Sequence, residues 1–284
     1  MTFRTRFAPS PTGPLHLGHA YSALLAHDMA HQNGGEFLLR IEDIDQSRAR
    51  DEWEQQIYDD LAWLGLSWPE PVLRQSDRIS TYQDALHRLW SHELLFPCHC
   101  NRKDIIKASS APQEGAPMIG PDGMIYPGTC QNMPRTAPDL TTDTALRLNL
   151  SRLKQWSAQF TETGAGPDGE TGPITVTDHD IKTQIGAIVL ARRDMGTSYH
   201  LSVVLDDAAQ GITHVVRGQD LFEATKIHVL LQHLLDLPTP TYHHHALIRD
   251  DAGKRLAKRD DARAISKYRD DGCTPADIRA LVGL

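Results

Sequence analysis

The run from Arg6 to His19 contains residue types and spacings that favour nucleotide chemistry. Its prolines end a first strand and set a rigid turn, and Gly13 and Gly18 leave room for a ligand or another backbone to approach closely. His16 and His19 then begin a helix, whose free N–H groups and positive dipole end attract phosphate. Imidazoles placed there donate hydrogen bonds to phosphoryl oxygens as charge develops. The run therefore predicts an ATP site, with His16, Gly18 and His19 as binding residues and the two histidines as catalytic residues.

A second group of residues has the composition of a metal site. Cys98 and Cys100 flank His99, and Tyr126 and Cys130 follow in the same segment. Thiolates are good zinc ligands, and three of them leave a fourth position for either Tyr126 or His99. A site closed by four protein ligands keeps no open position for a substrate, so we expect one structural Zn²⁺ per chain.

The first motif also identifies a family. Phe7-Ala-Pro-Ser-Pro-Thr-Gly13, followed by His16-Leu-Gly-His19, resembles the first signature of the glutamyl-tRNA synthetase family, whose enzymes are class I aminoacyl-tRNA synthetases. The resemblance implies a glutamate pocket made of Arg6, Ala8 and Ser10 in the first motif, Glu42 in Arg-Ile-Glu-Asp, Tyr199 in Ser-Tyr-His-Leu and Arg217 in Val-Val-Arg-Gly.

The resemblance also implies a role for each charged residue of that pocket. Arg6 and Arg217 would hold the two carboxylates of glutamate, Glu42 would face its ammonium, and Tyr199 would form the wall beside the side chain. The chemistry suits these residue types, because the guanidinium fork binds a carboxylate through two parallel N–H groups.

The loop near the end of the chain supplies a second nucleotide motif. Gly253-Lys-Arg-Leu-Ala-Lys258-Arg259 resembles the Lys-Met-Ser-Lys-Ser loop of class I synthetases, and Lys258 matches its catalytic, ATP-binding lysine. Its ammonium would neutralise charge on the leaving pyrophosphate. Ala257 and Arg259 replace hydroxyl-bearing residues of that loop. Mg²⁺ is expected to accompany ATP.

The cysteine pattern indicates one group of enzymes within this family. Cys-x-Cys with Tyr-x-x-x-Cys resembles the zinc site of the glutamyl-Q tRNA(Asp) synthetases, the short members of this family, which implies Cys98, Cys100, Tyr126 and Cys130 as ligands. These enzymes activate glutamate with ATP and transfer it to queuosine at the wobble position of tRNA(Asp). The partners implied are ATP, L-glutamate and queuosine-containing tRNA(Asp).

Other functions remain open at this stage. A truncated glutamyl-tRNA synthetase that charges tRNA(Glu) would share every active-site residue named so far. A non-catalytic RNA-binding paralogue and an adenylyl transferase that uses another acceptor are further alternatives.

The elements that must position these residues follow an α/β pattern. Apolar runs predict strands at 2–7, 36–41, 186–191, 201–205 and 212–216. Apolar residues at helical spacing predict helices at 18–32, around 53–64 and at 222–236. His243, His244 and His245 alternate faces of a strand, so we do not expect a metal there.

Composition shifts suggest a divided organisation. We predict a Rossmann-type catalytic domain with a parallel sheet in two halves, 1–96 and 181–245, around an inserted zinc-binding α+β module at 97–180. Residues 246–284 would form the Lys258 loop and a short helical segment, with no anticodon-binding domain.

Composition also bounds the class of protein. The chain of 284 residues is 40% hydrophobic with a formal charge of −8, and it has no run of apolar residues long enough for a membrane span or signal peptide. We therefore expect a cytoplasmic enzyme without a membrane partner, and a monomer.

Overall fold

The computed structural model describes residues 2–109, 119–132, 140, 144–153, 155–248 and 263–284. The strands are β1 (Arg4–Phe7), β2 (Glu36–Ile41), β3 (Leu73–Arg74), β4 (Leu95–Cys98), β5 (Ile119–Gly120), β6 (Gly123–Met124), β7 (Ala145–Leu148), β8 (Ser157–Glu162), β9 (Gly172–Thr177), β10 (Val189–Ala191), β11 (His214–Gly218) and β12 (Thr241–His245). The helices are α1 (Leu17–Gln32), α2 (Asp51–Trp63), α3 (Ile79–Ser91), α4 (Arg102–Ser109), α5 (Asp178–Asp180), α6 (Tyr199–Ala209), α7 (Phe222–Leu234), α8 (Ile265–Asp270) and α9 (Pro275–Val282). No helix within these ranges has both the length and the apolar character needed to cross a bilayer.

A mostly parallel sheet underlies the site. β1, β2 and β3 pair in parallel, and β11, β12 and β8 form a second parallel group that β9 extends as an antiparallel edge. The groups meet where the amide of Thr213 donates to the carbonyl of Arg4 at 3.0 Å. Strand order reverses at this junction, which is where open α/β sheets bind ligands, beyond the carboxyl ends of the strands. The predicted parallel α/β sheet is confirmed.

The first strand, helix and strand lie where the sequence predicts them. α1 buries Leu17, Ala20 and Leu24, the face that their spacing predicts. α2 likewise buries Ile57 and Leu61. The helix predicted at 222–236 is α7, which ends at Leu234.

The strand predicted at 201–205 is wrong, because these residues lie inside helix α6. Ser198 caps the helix, and its hydroxyl accepts a hydrogen bond from the amide of Leu201 at 3.4 Å. A short apolar run fits a buried helix as well as a buried strand, and the serine cap is the signal that separates the two. The consequence is large for the site, because a helix places Asp206 and Asp207 in the interior.

The strand predicted at 186–191 is correct only for Val189–Ala191, and it does not join the parallel sheet. β10 pairs antiparallel with β7, and β7 pairs antiparallel with β4, so these strands form a sheet of their own. β8 and β9, by contrast, join the sheet of β11 and β12. The division of the chain at 97, 181 and 246 stays a prediction.

The last described segment returns to the start of α1. Ile265 and Ile278 are buried in the same core as that helix. Arg279 donates to both carboxylate oxygens of Asp28, at 2.7 and 2.9 Å. The amide of Ile265 donates to the carbonyl of Leu15 at 2.8 Å. These contacts fix the segment beside the predicted nucleotide motif.

Asp206 ties α6 to the start of α3. Its carboxylate is fully buried and accepts hydrogen bonds from the Gln75 amide at 2.8 Å, the Tyr82 hydroxyl at 2.9 Å and the Arg78 guanidinium at 2.7 Å. These three donors replace the water that a buried carboxylate loses.

We predict that Asp206→Ala lowers the free energy of unfolding by about 3–5 kcal/mol, because it leaves two buried donors and a partly buried guanidinium without their acceptor. Urea denaturation followed by circular dichroism measures the change. Asp194→Ala is the matched control, since Asp194 pairs with Arg192 but keeps 63% of its side chain exposed. The control should cost less than about 1 kcal/mol. Equal losses in the two variants would contradict this role for Asp206.

Candidate active site

A cavity of about 560 Å³ opens where β1 meets β11. Its wall combines the carboxyl ends of these strands with the starts of α1 and α6 and the residues after β12. The sequence-predicted site residues that line it are Arg6, Ala8, His16, Gly18, His19, Glu42, Tyr199 and Arg217. Four motifs from separate parts of the sequence therefore face one cavity.

The two histidines at the start of α1 have defined orientations. Nδ1 of His16 accepts from the Gly18 amide at 3.1 Å, and Nδ1 of His19 accepts from the His16 amide at 3.2 Å. A neutral ring whose Nδ1 accepts carries its proton on Nε2, which makes Nε2 a hydrogen-bond donor. A Cβ at Gly18 would lie 3.1 Å from the His16 ring, so glycine permits this close packing. N–H donors at a helix start, such as these, are the groups that bind phosphate oxygens.

Two arginines and two carboxylates form a buried network at one wall. Arg6 donates to both oxygens of Asp207, at 2.9 and 3.3 Å. Arg40 donates to Asp207 at 2.7 Å and to Glu42 at 3.1 Å. The amide of Glu42 also donates to the carbonyl of Pro9 at 3.0 Å. The network joins β1, β2 and α6, and it fixes Glu42 beside the segment that follows β1.

The two carboxylates of this network differ in acidity. Burial raises the pKa of Glu42, although the charges of Arg40 and Arg6 oppose the shift. Burial also disfavours the charged form of Asp207, but Arg6 and Arg40 outweigh it and lower the pKa of that carboxyl. Glu42 is therefore the easier of the two to protonate.

Arg217 has neighbours of another kind. Nε donates to Nε2 of His244 at 3.1 Å, and Nη1 donates to Nδ1 of His228 at 3.1 Å. Nη2 donates to the Thr225 hydroxyl at 2.6 Å and to the Leu221 carbonyl at 3.3 Å. None of the described residues that accept from this guanidinium is a carboxylate. Its positive charge is held in place without a direct counter-ion among them.

Of the remaining predicted pocket residues, Tyr199 and Ala8 line the cavity and Ser10 does not. Tyr199 is the first residue of α6, its ring lies 5.7 Å from that of His228, and burial raises the pKa of its hydroxyl. Ala8 follows β1 and lines the cavity. Ser10 is not among the lining residues, and its carbonyl accepts from the Thr12 amide at 2.8 Å.

Lys258 and its motif lie outside the described residues. The described chain before them ends at Ile248, which lines the cavity. The chain is described again from Arg263, and Ala264 forms a β-bridge with His16. Both flanking segments therefore lie at the site.

Several residues around the site were not predicted from the sequence. Arg40 could have been found, because alternation along a strand puts it on the same face as Glu42. Thr225 and His228 are polar residues three positions apart, a spacing that puts them on one face of the predicted helix at 222–236, which is a usable signal. Asp207 lies two residues beyond the strand predicted at 201–205, and it contacts Arg6 because the segment is the helix α6.

The cysteines form a compact cluster. The sulfur atoms of Cys98, Cys100 and Cys130 all lie within 4.8 Å of one another. The Tyr126 hydroxyl lies 3.5 Å from the Cys98 sulfur and 3.7 Å from the Cys100 sulfur, and it accepts from the Cys130 amide at 2.7 Å. His99 is exposed. The structure thus brings Tyr126, and not His99, to the three thiols.

Comparison with known proteins identifies relatives over the whole chain. The family model for the catalytic domain of tRNA synthetases class I (E and Q) matches residues 2–284. A glutamyl-Q tRNA(Asp) synthetase of Rhodobacter capsulatus is 63% identical over 286 residues, which cover 99% of each chain. A glutamyl-Q tRNA(Asp) synthetase of Cupriavidus metallidurans is 38% identical over 288 residues, which cover 99% of this chain and 83% of that protein.

Solved structures share the fold. A glutamate tRNA ligase from Elizabethkingia meningosepticum, crystallised in complex with its amino acid, superposes with a TM-score of 0.77 at 24% identity. The superposition covers 99% of this chain and 60% of that one. The glutamate-tRNA synthetase of Elizabethkingia anophelis gives a TM-score of 0.78, also at 24% identity.

We predict that the protein purifies with about one bound metal ion per chain and that Cys130→Ser loses most of it, because a serine hydroxyl is a poor replacement for a thiolate ligand. Mass spectrometry of the metal content measures the ratio. Cys273→Ser is the matched control, since Cys273 lies outside the cluster. Unchanged metal in Cys130→Ser, or equal loss in Cys273→Ser, would contradict the assignment.

Proposed function

The chain belongs to the class I tRNA synthetases for glutamate and glutamine, and on that premise we propose that it is an ATP-dependent ligase that glutamylates queuosine in tRNA(Asp). The amino acid follows from the chemistry of the cavity. The acceptor follows from the relatives, because the proteins of Rhodobacter capsulatus and Cupriavidus metallidurans both bear the name glutamyl-Q tRNA(Asp) synthetase.

The observation that carries the proposal is the set of charges around one cavity. Free glutamate has two carboxylates and one ammonium, and the wall offers Arg6, Arg217 and Glu42. Arg6 uses Nε and Nη2 on Asp207, so Nη1 and the second Nη2 hydrogen remain for a carboxylate. Arg217 has four of its five N–H groups bonded to the protein and offers the fifth, on Nη1. Glu42 is the acid for the ammonium.

The first step proposed is adenylate formation. An oxygen of the glutamate α-carboxylate attacks the α-phosphorus of ATP, the bond to the bridging oxygen breaks, and pyrophosphate leaves. His16 and His19, at the positive end of α1, would donate hydrogen bonds to the phosphoryl oxygens as charge develops. Glutamate beside Arg6 and ATP beside α1 would share one cavity.

Lys258 is proposed to act on the leaving pyrophosphate, with Mg²⁺ bound to ATP. The support for Lys258 is its motif and the position of the flanking segments. Ile248 lines the cavity, and Ala264 pairs with His16. A lysine between these two segments is a suitable counter-charge for phosphate oxygens.

The second step proposed is transfer. A hydroxyl of the cyclopentenediol ring of queuosine attacks the carbonyl carbon of the glutamyl-adenylate. The oxygen–carbonyl bond to AMP breaks, AMP leaves, and the hydroxyl loses its proton, which gives an ester. The target is a base in an unpaired loop, the kind of RNA element that proteins read by local contacts.

The cysteine cluster is proposed to hold structural zinc. With Zn–S bonds near 2.3 Å, two sulfurs at tetrahedral positions lie roughly 3.8 Å apart. The Cys100 and Cys130 sulfurs are 3.5 Å apart, and the Tyr126 oxygen lies at comparable distances from two sulfurs. The donors therefore have about the spacing of the corners of a zinc tetrahedron.

Transfer of labelled glutamate tests the acceptor. We expect the protein, ATP and Mg²⁺ to label tRNA(Asp) that contains queuosine, and not the same tRNA made without queuosine or tRNA(Glu). Mild alkali should release the label, because the product is an ester. Label on tRNA(Glu) would instead identify a glutamyl-tRNA synthetase. Absence of glutamate-dependent ATP–pyrophosphate exchange would leave a non-catalytic RNA-binding protein.

Glu42 gives a pH dependence. The ammonium of glutamate needs a charged partner, and the raised pKa of Glu42 means that protonation begins at a higher pH than for an ordinary glutamate. The KM for glutamate in the exchange reaction should therefore rise as the pH falls from neutral. Glu42→Gln should raise this KM at pH 7.5 by roughly tenfold or more, and it should flatten the rise at acid pH.

Glu36→Gln is the control for this prediction. Glu36 begins the same strand, β2, but pairs with Arg4 at the surface. Its KM for glutamate should follow the wild-type profile at every pH. A Glu42→Gln profile parallel to that of the wild type would show that another group causes the acid loss.

A further inference from the structure

We propose that His228 and His244, as neutral rings in opposite tautomers, are the positioning residues of Arg217. The inference rests on the proposed function, in which Arg217 binds a carboxylate of glutamate. Neither histidine was identified from the sequence as part of the site. Both are buried, and both contact the guanidinium directly.

The tautomer of His228 follows from the chemistry of arginine. A guanidinium has N–H donors and no acceptor, so Nδ1 of His228 must accept from Arg217 and its proton must be on Nε2. That Nε2 lies 3.1 Å from Nδ1 of His200. His200 must then accept at Nδ1 and donate from Nε2, which lies 3.4 Å from a carboxylate oxygen of Asp122. The hydrogen bonds are therefore all donated in one direction, from Arg217 to His228, then to His200, and finally to Asp122.

The tautomer of His244 is the reverse. Nε2 of His244 accepts from Arg217, so the proton is on Nδ1, which lies 2.5 Å from Glu162. Glu162 is fully buried and also accepts from the amides of His244 at 2.9 Å and Gly164 at 2.7 Å. Three donors hold this carboxylate, and the carboxylate in turn fixes the His244 ring.

Neutral acceptors suit a guanidinium that must bind a carboxylate. Arg6 shares its charge with Asp207, whereas Arg217 is oriented by rings that do not neutralise it. A protonated ring would point a donor at a donor and place a like charge 3.1 Å away. Burial and the charge of Arg217 lower the pKa of both rings, which keeps them neutral. The positive charge of Arg217 therefore remains available to the substrate.

Kinetics of glutamate-dependent ATP–pyrophosphate exchange test the role. His228→Leu removes the acceptor and should raise the KM for glutamate about tenfold or more, with the KM for ATP within twofold. His228→Gln supplies a neutral amide oxygen and should keep the KM for glutamate within about threefold of the wild type. His243→Leu is the matched control, because the His243 ring contacts Thr163 and not Arg217. It should leave both constants unchanged.

The proposal is overturned if His228→Leu and His228→Gln raise the KM for glutamate equally. It is also overturned if the KM values for glutamate and ATP rise in parallel. Either result would indicate a structural role alone. No exchange activity in the wild type would instead refute the proposed function.

A measurement without substrate separates the two cases. Long-range ¹H–¹⁵N spectra of the wild-type protein at pH 7 should show His228 protonated on Nε2 and His244 on Nδ1, assigned with the single-histidine variants. The same tautomer in both rings, or a charged ring, would overturn the proposal whether or not the enzyme is active.

Discussion

The arrangement of the site depends on the burial of Asp207. Its two oxygens accept from Arg6 on β1 and Arg40 on β2, and Arg40 in turn reaches Glu42. Charged groups that leave water are stable only when they are paired and hydrogen-bonded, so each member of this network restricts the positions of the others. The helix that carries Asp207 therefore fixes the Arg6 and Arg40 side chains relative to each other at the carboxyl ends of the first two strands. In the proposed glutamate pocket, Asp207 therefore positions Arg6 directly and positions Glu42 through Arg40.

The two arginines that face the cavity are held by opposite means. Arg6 is fixed by an ion pair, which leaves little net charge in its surroundings. Arg217 is fixed by histidines, a hydroxyl and a carbonyl, so its charge is retained. In the proposed pocket, the ion pair fixes the orientation of Arg6, whereas the charge of Arg217 attracts a carboxylate. The parallel sheet makes the combination possible, since β1 and β11 end at the same edge on the two sides of the reversal in strand order.

Local sequence patterns predicted β1, α1 and β2, within two residues at their starts, and eight of the 17 residues that line the cavity. The reason is that these residues are close in sequence and their chemistry is visible in single side chains. The partners of Arg6 and Arg217 were not predicted, because Asp207, His228 and His244 approach from distant elements and carry no motif of their own. The strand predicted at 201–205 is wrong for a different reason. Its burial on several sides hides the helical period, and only the Ser198 cap distinguishes the two structures.

The hydrogen bond from the Cys130 amide to the Tyr126 hydroxyl has a consequence for how the cysteine cluster assembles. This bond joins two of the proposed ligands, whereas the other two are Cys98 at the end of β4 and Cys100 two residues later. An ion bound by all four proposed ligands would close the segment between Cys100 and Tyr126, as a cross-link does, and would remove conformational freedom from the unfolded chain. An ion bound as proposed would thus bring together two pairs of side chains rather than four separate ones.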